Sequence, residues 1–261
     1  MPWQQRAFSL IELILALVIA GILSAGLMMW IARPLQALQE SHRRAAAIGQ
    51  AGNIAARVAA ELPNALPNSA RVACGGRCLE FLPVVDYGDY RTALPGDILD
   101  LATADNRFDV LMPLPAAPQA GQQVVIGNLN ALPGGSFSAY SQDANNNRSS
   151  IVSGATGAQI RIAPKQFPAA SPTQRFYIVD TPVSYLCQPA ANGGAMRRYA
   201  GYAIQAAQPA NTSLGDVLAA GMIDCRFGIA ASNRVTLHLT VGDGQAAPLH
   251  YFMQTSLRHA P

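Results

Sequence analysis

Ala7-Phe8-Ser9-Leu10-Ile11-Glu12-Leu13 opens the stretch that organises the rest of the chain. From Leu13 to Ile31 no residue is charged: LILALVIAGILSAGLMMWI is nineteen residues of nearly unbroken apolar character. With Phe8 to Ile11 in front the run reaches 24 residues. At about 1.5 Å per residue, a helix of that length spans the ~30 Å hydrocarbon core of a bilayer. Glu12 is the exception. A lone carboxylate in hydrocarbon costs about 2.5–3.5 kcal/mol on insertion scales, so a chain that keeps one is expected to use it on a partner.

The order of features around this run differs from that of a secretory signal, whose small-residue cleavage site follows the apolar region. Here a short basic leader, residues 1–7, ends in Ala7 before the apolar run begins. Cleavage between Ala7 and Phe8 would keep the hydrophobic helix on the mature protein. These seven residues closely resemble the type IV prepilin motif of pilins and pseudopilins, with Ala7 standing where that family usually has Gly. The resemblance implies that a prepilin peptidase cuts before Phe8 and that Phe8 is N-methylated. It also implies a register device, in which Glu12 of one subunit neutralises the Phe8 amino group of a neighbour. Paired and hydrogen-bonded among apolar helices, the two charges escape most of the penalty that either suffers alone. The competing reading is a plain signal anchor whose Glu12 sits near the headgroups.

At 261 residues the chain has room for one large domain or two small ones. About 200 residues remain beyond the helix, enough for a sizeable core. The net charge of +3 is mild. Seventeen of the eighteen basic residues are Arg, only Lys165 is Lys, and they are scattered. That distribution argues against a nucleic-acid partner, although Arg175-Phe-Tyr177 and Arg197-Arg198-Tyr199 interleave cations with aromatics. Arg6 on one side of the apolar run and Arg33, Arg43 and Arg44 on the other leave the positive-inside rule balanced. An exported body therefore rests on the motif and on the cysteines.

Those cysteines form a close pair, Cys74 and Cys78 around Gly75-Gly76-Arg77, and a distant pair, Cys187 and Cys225. An even count in an exported body points to disulfides. Three connectivities exist, and 74–78 with 187–225 is favoured. The first closes across a tight glycine bend. The second closes a loop worth about 4 kcal/mol by chain entropy. A zinc site lacks a CxxC or a nearby His to complete four ligands, so no metal is expected.

Residues 8–62 read as one long helix in two parts, 8–31 and 32–62. The second part carries apolar or small residues at Leu35, Leu38, Ala45, Ile48, Gly52, Ala55, Val58 and Leu62, with Arg43, Arg44, Arg57 and Glu61 outside that stripe. Pro34 lacks an amide donor and is expected to kink the helix, and Pro63 and Pro67 end it. Residues 63–261 change to short β-like runs separated by Gly, Pro and Asn. Strands are expected at 78–85, 108–112, 123–127, 159–163, 175–179, 183–187, 197–204, 223–229, 234–241 and 249–257. Residues 113–122 read as a loop and 143–150 as a polar tip. A helix followed by many strands gives an α+β fold, with an antiparallel sheet packed on the amphipathic half of the helix.

That arrangement resembles the ladle shape of pilins. Gly96-Asp-Ile-Leu-Asp-Leu101, Phe108-Asp-Val-Leu111, Arg175 through Cys187, Arg197-Arg198-Tyr199 and the tail from Asp224-Cys-Arg-Phe227 to Arg258-His-Ala-Pro261 look like the MshO family of minor pilins of mannose-sensitive haemagglutinin (MSHA) pili. They are also similar to the J-type minor pseudopilins of type II secretion. The resemblance implies a structural subunit that primes filament assembly and works without a cofactor. It further implies other pilins, prepilin peptidase and an inner-membrane assembly platform as partners. The expected location is a single-pass inner-membrane protein with a periplasmic body, passing into a pilus or pseudopilus.

The residues with chemical potential do not converge. His238 and His250 are expected as cross-strand neighbours, with no third ligand in register, and no hydrolase or nucleotide motif occurs. Asp143, Asn145 and Asn147 have the alternating oxygens of a calcium loop, but Arg148 stands where the turn glycine belongs. No enzyme is expected. Two further readings remain: a tip adhesin presenting Tyr87, Tyr90 and Tyr140 from loops, and a signal-anchored periplasmic hydrolase.

Overall fold

The structure, a computed structural model, describes residues 9–135, 137–230, 234–244 and 247–257, without the side chains of Met29, Ala32 and Arg33. The expected leader, the Ala7/Phe8 junction and the final residues 258–261 lie outside the described residues. The chain divides into two compact units, Met1–Ile48 and Gly49–Pro261. One helix, α1 (Leu10–Glu61), runs from the first into the second, with Pro34 inside it.

In the first unit every described side chain of the helix except the half-buried Ala47 is exposed. Leu35, Leu38 and Ile48, assigned above to a buried stripe, are 52, 57 and 54% exposed. In the second unit the helix behaves as a core element: Ala51, Ile54, Ala55, Val58 and Leu62 are buried. Their spacing of threes and fours places them on one helical face. Ile54→Val should therefore lower the stability of the body by about 1 kcal/mol in a denaturant titration, whereas Ile48→Val should change it by less than about 0.5 kcal/mol.

After a 3-10 turn (Leu62–Asn64) the second unit is built from antiparallel strands. β1 (Arg71–Ala73), β2 (Cys78–Phe81), β9 (Val183–Gln188), β10 (Gly194–Ala200), β11 (Asp216–Ala230), β12 (Arg234–Val241) and β13 (Leu249–Ser256) form a seven-stranded sheet in the order β1-β2-β9-β10-β11-β12-β13. A second sheet has the order β3-β8-β5-β6, from β3 (Val84–Asp89), β8 (Arg175–Val179), β5 (Gln123–Val125) and β6 (Arg148–Ser150). β4 (Asp105–Asp109) pairs with β7 (Gln159–Lys165). The fold is α+β, as the pattern of elements predicts.

Both ends of the helical segment in this unit touch the large sheet. A Cβ added at Gly221 of β11 would stand 3.3 Å from Gln50 Oε1. At the other end, Arg198 Nε of β10 donates to both Glu61 carboxylate oxygens at 3.0–3.1 Å, while Arg57 binds the same Glu61 at 2.9 Å. Glu61, placed above outside the stripe, thus fastens the helix to the sheet. β11 is long and bulged: its first half pairs with β10 and its second half with β12, and the strand also contacts β1, β2 and β9. A separate core fills the space between the smaller sheets, where Phe108 meets Phe176 edge-on at 5.3 Å among Tyr90, Phe167, Ile160 and Ile178.

The strand expectations missed in informative ways. Residues 78–85 split at Leu82-Pro83 into β2 and β3, which belong to different sheets; proline cannot donate to a ladder. The tip at 143–150 ends in β6, because Ser149 turns inward and donates to the Ala163 carbonyl at 2.7 Å.

Candidate functional site

Two groups of residues stand apart from ordinary packing: the uncovered apolar helix in the first unit, and a buried polar cluster in the second. The helix starts at Leu10, where the Glu12 and Leu13 amides donate to the Ser9 carbonyl at 3.0 and 3.2 Å. Ser9-Leu10-Ile11-Glu12 has the spacing of a capping box, and a carboxylate in the first turn complements the positive end of the helix dipole. Leu10–Met28 is long and apolar enough to cross a membrane, and none of it is buried within the chain. Ile11 is 75% exposed and Trp30 83%. Ser24 returns its hydroxyl to the Ala20 carbonyl at 2.7 Å, so this polar side chain asks nothing of the surroundings. An uncovered apolar surface of this size marks a membrane or partner interface. Glu12 is exposed in its first turn.

The four cysteines pair as the spacing favours, Cys74 with Cys78 and Cys187 with Cys225, at Cα separations of 5.5 and 6.2 Å. Cys187 and Cys225 are buried and tie β9 to the second half of β11. The bridge therefore locks the curl of the large sheet.

The buried polar cluster was not anticipated. Arg71 on β1 donates to Glu80 Oε1 on β2 through Nε at 3.0 Å and Nη2 at 2.7 Å. Tyr202 donates to Glu80 Oε2 at 3.0 Å, and Ser184 lies 2.7 Å from the Tyr202 hydroxyl. Arg71 also donates to the carbonyls of Gln205 and Ala206, and its guanidinium lies 3.6 Å from the centre of the Tyr140 ring. Burial holds the Glu80 carboxyl above the usual carboxylate range, with Arg71 and Tyr202 pulling the other way. The cluster pins the segment after β10 onto the β1–β2 edge. A single carboxylate inside the apolar run Cys78-Leu-Glu-Phe-Leu82 was the available signal.

The adhesin reading loses two of its three tyrosines. Tyr140 is fully buried and donates to the Ser69 carbonyl at 3.0 Å; Tyr90 is buried in the second core, its hydroxyl accepting from the Ser171 amide at 3.0 Å. Tyr87 alone stays exposed, at 44%. His238 sits opposite Phe252, and His250 opposite Thr240, so the histidines are diagonal neighbours on one exposed face. Among the described residues no three His, Cys, Asp or Glu side chains gather as metal ligands would. In the calcium-like loop, Asp143 Oδ1 accepts from the Asn145 amide at 3.1 Å, and Asn147 is buried, turned toward the Phe137 carbonyl.

The prokaryotic N-terminal methylation motif matches residues 4–28. No curated protein and no solved structure matches the chain. The amino-terminal region is thus type IV prepilin-like, and the matched residues include most of the uncovered apolar helix.

Proposed function

We propose that this chain is a minor pilin of a type IV pilus, of the MshO kind, which helps prime or cap filament assembly. The observation that carries this reading is an apolar helix of membrane length, wholly unburied within its own chain, beginning at Leu10 inside a methylation motif and carrying Glu12 in its first turn. A prepilin peptidase removes residues 1–7 and leaves Phe8 as a methylated amino terminus. The helix holds the body at the inner membrane, in the periplasm, until the assembly platform moves the subunit among other pilins. There the Phe8 amine of one subunit and Glu12 of its neighbour set register, and the apolar surface that faced lipid faces other helices. The paired cysteines fit an oxidising compartment. The body works as a structural piece, and its buried polar cluster binds its own loops.

A minor pseudopilin of a type II secretion system has the same amino-terminal logic and is the second reading. Deletion of the chain in its own host separates the two. Loss of surface filaments with secretion intact is the expected result. Loss of secretion with filaments intact would favour the pseudopilin, and no change in either would remove both readings.

A further inference from the structure

The two-stranded ribbon of β4 and β7 carries a pairing that packing does not explain. Arg107 of β4 stands directly opposite Arg161 of β7. The neighbouring pair, Phe108 and Ile160, is buried in the second core, so the two arginines share the other face of the ribbon, and both are exposed. Side chains placed this way leave the strands about 4.5–5.5 Å apart at Cβ, and like charges in that position repel.

Each arginine is positioned, and neither guanidinium is fully occupied. Arg107 Nε lies 2.7 Å from Asp97 Oδ2, and its two Nη groups have no acceptor among the described residues. The Arg161 side chain lies along the turn after β6, where a Cβ on Gly154 would stand 3.4 Å from its Nη1 and 3.6 Å from its Cδ. Its guanidinium has no hydrogen-bond or ion-pair partner among the described residues. The Val152 amide donates to the Arg161 carbonyl at 3.0 Å and so brings Ser153 alongside. On the other flank a register shift leaves Asn106 unpaired, as in a bulge. Arg107, Arg161, Ser153 and Asn106 thus line one open cleft of about 380 Å³, and no described carboxylate lines it. The acids nearby are turned to other donors. Asp105 accepts from the Asn106 and Asp100 amides at 2.7 and 2.8 Å, and Asp109 from the Asp97 amide and the Gln159 side chain at 2.9 and 3.1 Å.

We infer that this cleft binds a phosphomonoester, with Arg107 and Arg161 as its cationic arms and Ser153 and Asn106 as neutral donors. The donor set selects the anion. A carboxylate holds two oxygens in one plane and matches a single guanidinium fork. A tetrahedral phosphate presents oxygens in several directions, so forks from opposite strands and a hydroxyl can share it. A phosphomonoester also carries a charge of about −1.5 to −2 at neutral pH, which offsets both arginines and removes the repulsion their pairing creates. The cleft is larger than a phosphate ion and leaves room for the esterified alcohol. That alcohol is either a small soluble molecule or the glycerol of a lipid; the chemistry at the arginines is the same. The site lies wholly within the body and goes beyond the assembly role proposed above.

The test treats the full chain, in a phosphate-free non-ionic detergent, with the arginine reagent phenylglyoxal and follows each arginine by mass spectrometry. Glycerol 3-phosphate or dihexanoyl phosphatidic acid, titrated to saturation, should slow the modification of Arg107 and Arg161 about tenfold, as one-site occupancy at about ten dissociation constants requires. Arg234, exposed on β12, should react at its original rate. Arg161→Gln, at an exposed position, should raise the phosphate concentration that protects Arg107 about tenfold. Protection by glycerol 3-phosphate supports the site with a soluble ligand, and protection by the lipid alone supports it with a headgroup. Protection by neither would overturn the inference. Equal protection by acetate or methyl sulfate at the same ionic strength, equal slowing at Arg234, or unchanged protection of Arg107 in Arg161→Gln would also overturn it. None of these readouts depends on cleavage before Phe8 or on filament formation, so their failure leaves the assembly reading untouched.

Discussion

Glu12→Leu is expected to leave the chain in the membrane and cleaved before Phe8, yet to abolish its incorporation among other subunits. The substitution lengthens the apolar run and removes a side chain that costs about 2.5–3.5 kcal/mol in hydrocarbon, so membrane residence should not fall. What disappears is the partner for a neighbour's amino group. Breaking one half of a buried charge pair costs about 3–5 kcal/mol, because the other charge stays buried without compensation. On that scale, uptake into an assembly falls on the order of several hundred-fold. Glu12→Gln keeps a hydrogen-bonding group at the helix start but not the charge, and should behave almost as badly. The measurement is the yield of helix-to-helix products from a photo-reactive benzoylphenylalanine placed at the exposed Leu17, set against total membrane-bound protein. Parental yield from Glu12→Leu would remove the register role and restore the plain anchor.

Glu80→Ala should lower the stability of the body by about 3–5 kcal/mol, since it strands the Arg71 guanidinium beside the buried Tyr140. The pair is a poor candidate for net stabilisation, however. Replacing both partners together, Arg71→Met with Glu80→Leu, should recover most of the loss seen in either single variant. The pH dependence follows from the raised carboxyl. A carboxyl whose folded pKa exceeds its unfolded value holds its proton more tightly in the native state. Its stabilising contribution is therefore complete below the unfolded value, about 4.3, and is lost as pH rises through the folded one. Arg71→Met removes the largest interaction opposing that upward shift. Its deficit should be widest at neutral pH and should narrow as Glu80 is protonated. Denaturant titrations at neutral pH and near pH 4 check this; a deficit equal at both would mean that the lost packing and carbonyl contacts dominate.

Much of this molecule was legible because several local signals pointed the same way. The uncharged run from Leu13 to Ile31 is long and apolar enough to cross a membrane, and the paired cysteine spacings matched the bridges the body forms. Strict alternation identified β12, whose Val235, Leu237, Leu239 and Val241 are buried between exposed or half-buried neighbours. The division into separate sheets was not legible, because it depends on which strand meets which, and pairing between distant segments leaves no local trace. Val84–Asp89 looks like a continuation of Cys78–Phe81 until Pro83 hands the chain to another sheet. The tyrosines misled for a related reason. Tyr90 and Tyr140 sit among polar residues in sequence, and only tertiary contacts with Phe108 and Arg71 bury them. Glu80 shows the converse: a carboxylate in an apolar strand announces a buried partner without saying that it is Arg71.

The central claim is that a prepilin-type amino terminus turns this apolar helix into an assembly element. The intact mass and amino-terminal sequence of the membrane-extracted protein, with and without prepilin peptidase, test it most directly. The predicted product begins at Phe8, carries one added methyl group and lacks the four thiol hydrogens of Cys74, Cys78, Cys187 and Cys225. A chain that still begins at Met1 in the presence of the peptidase would contradict the claim and leave an anchored protein whose role resides in its body.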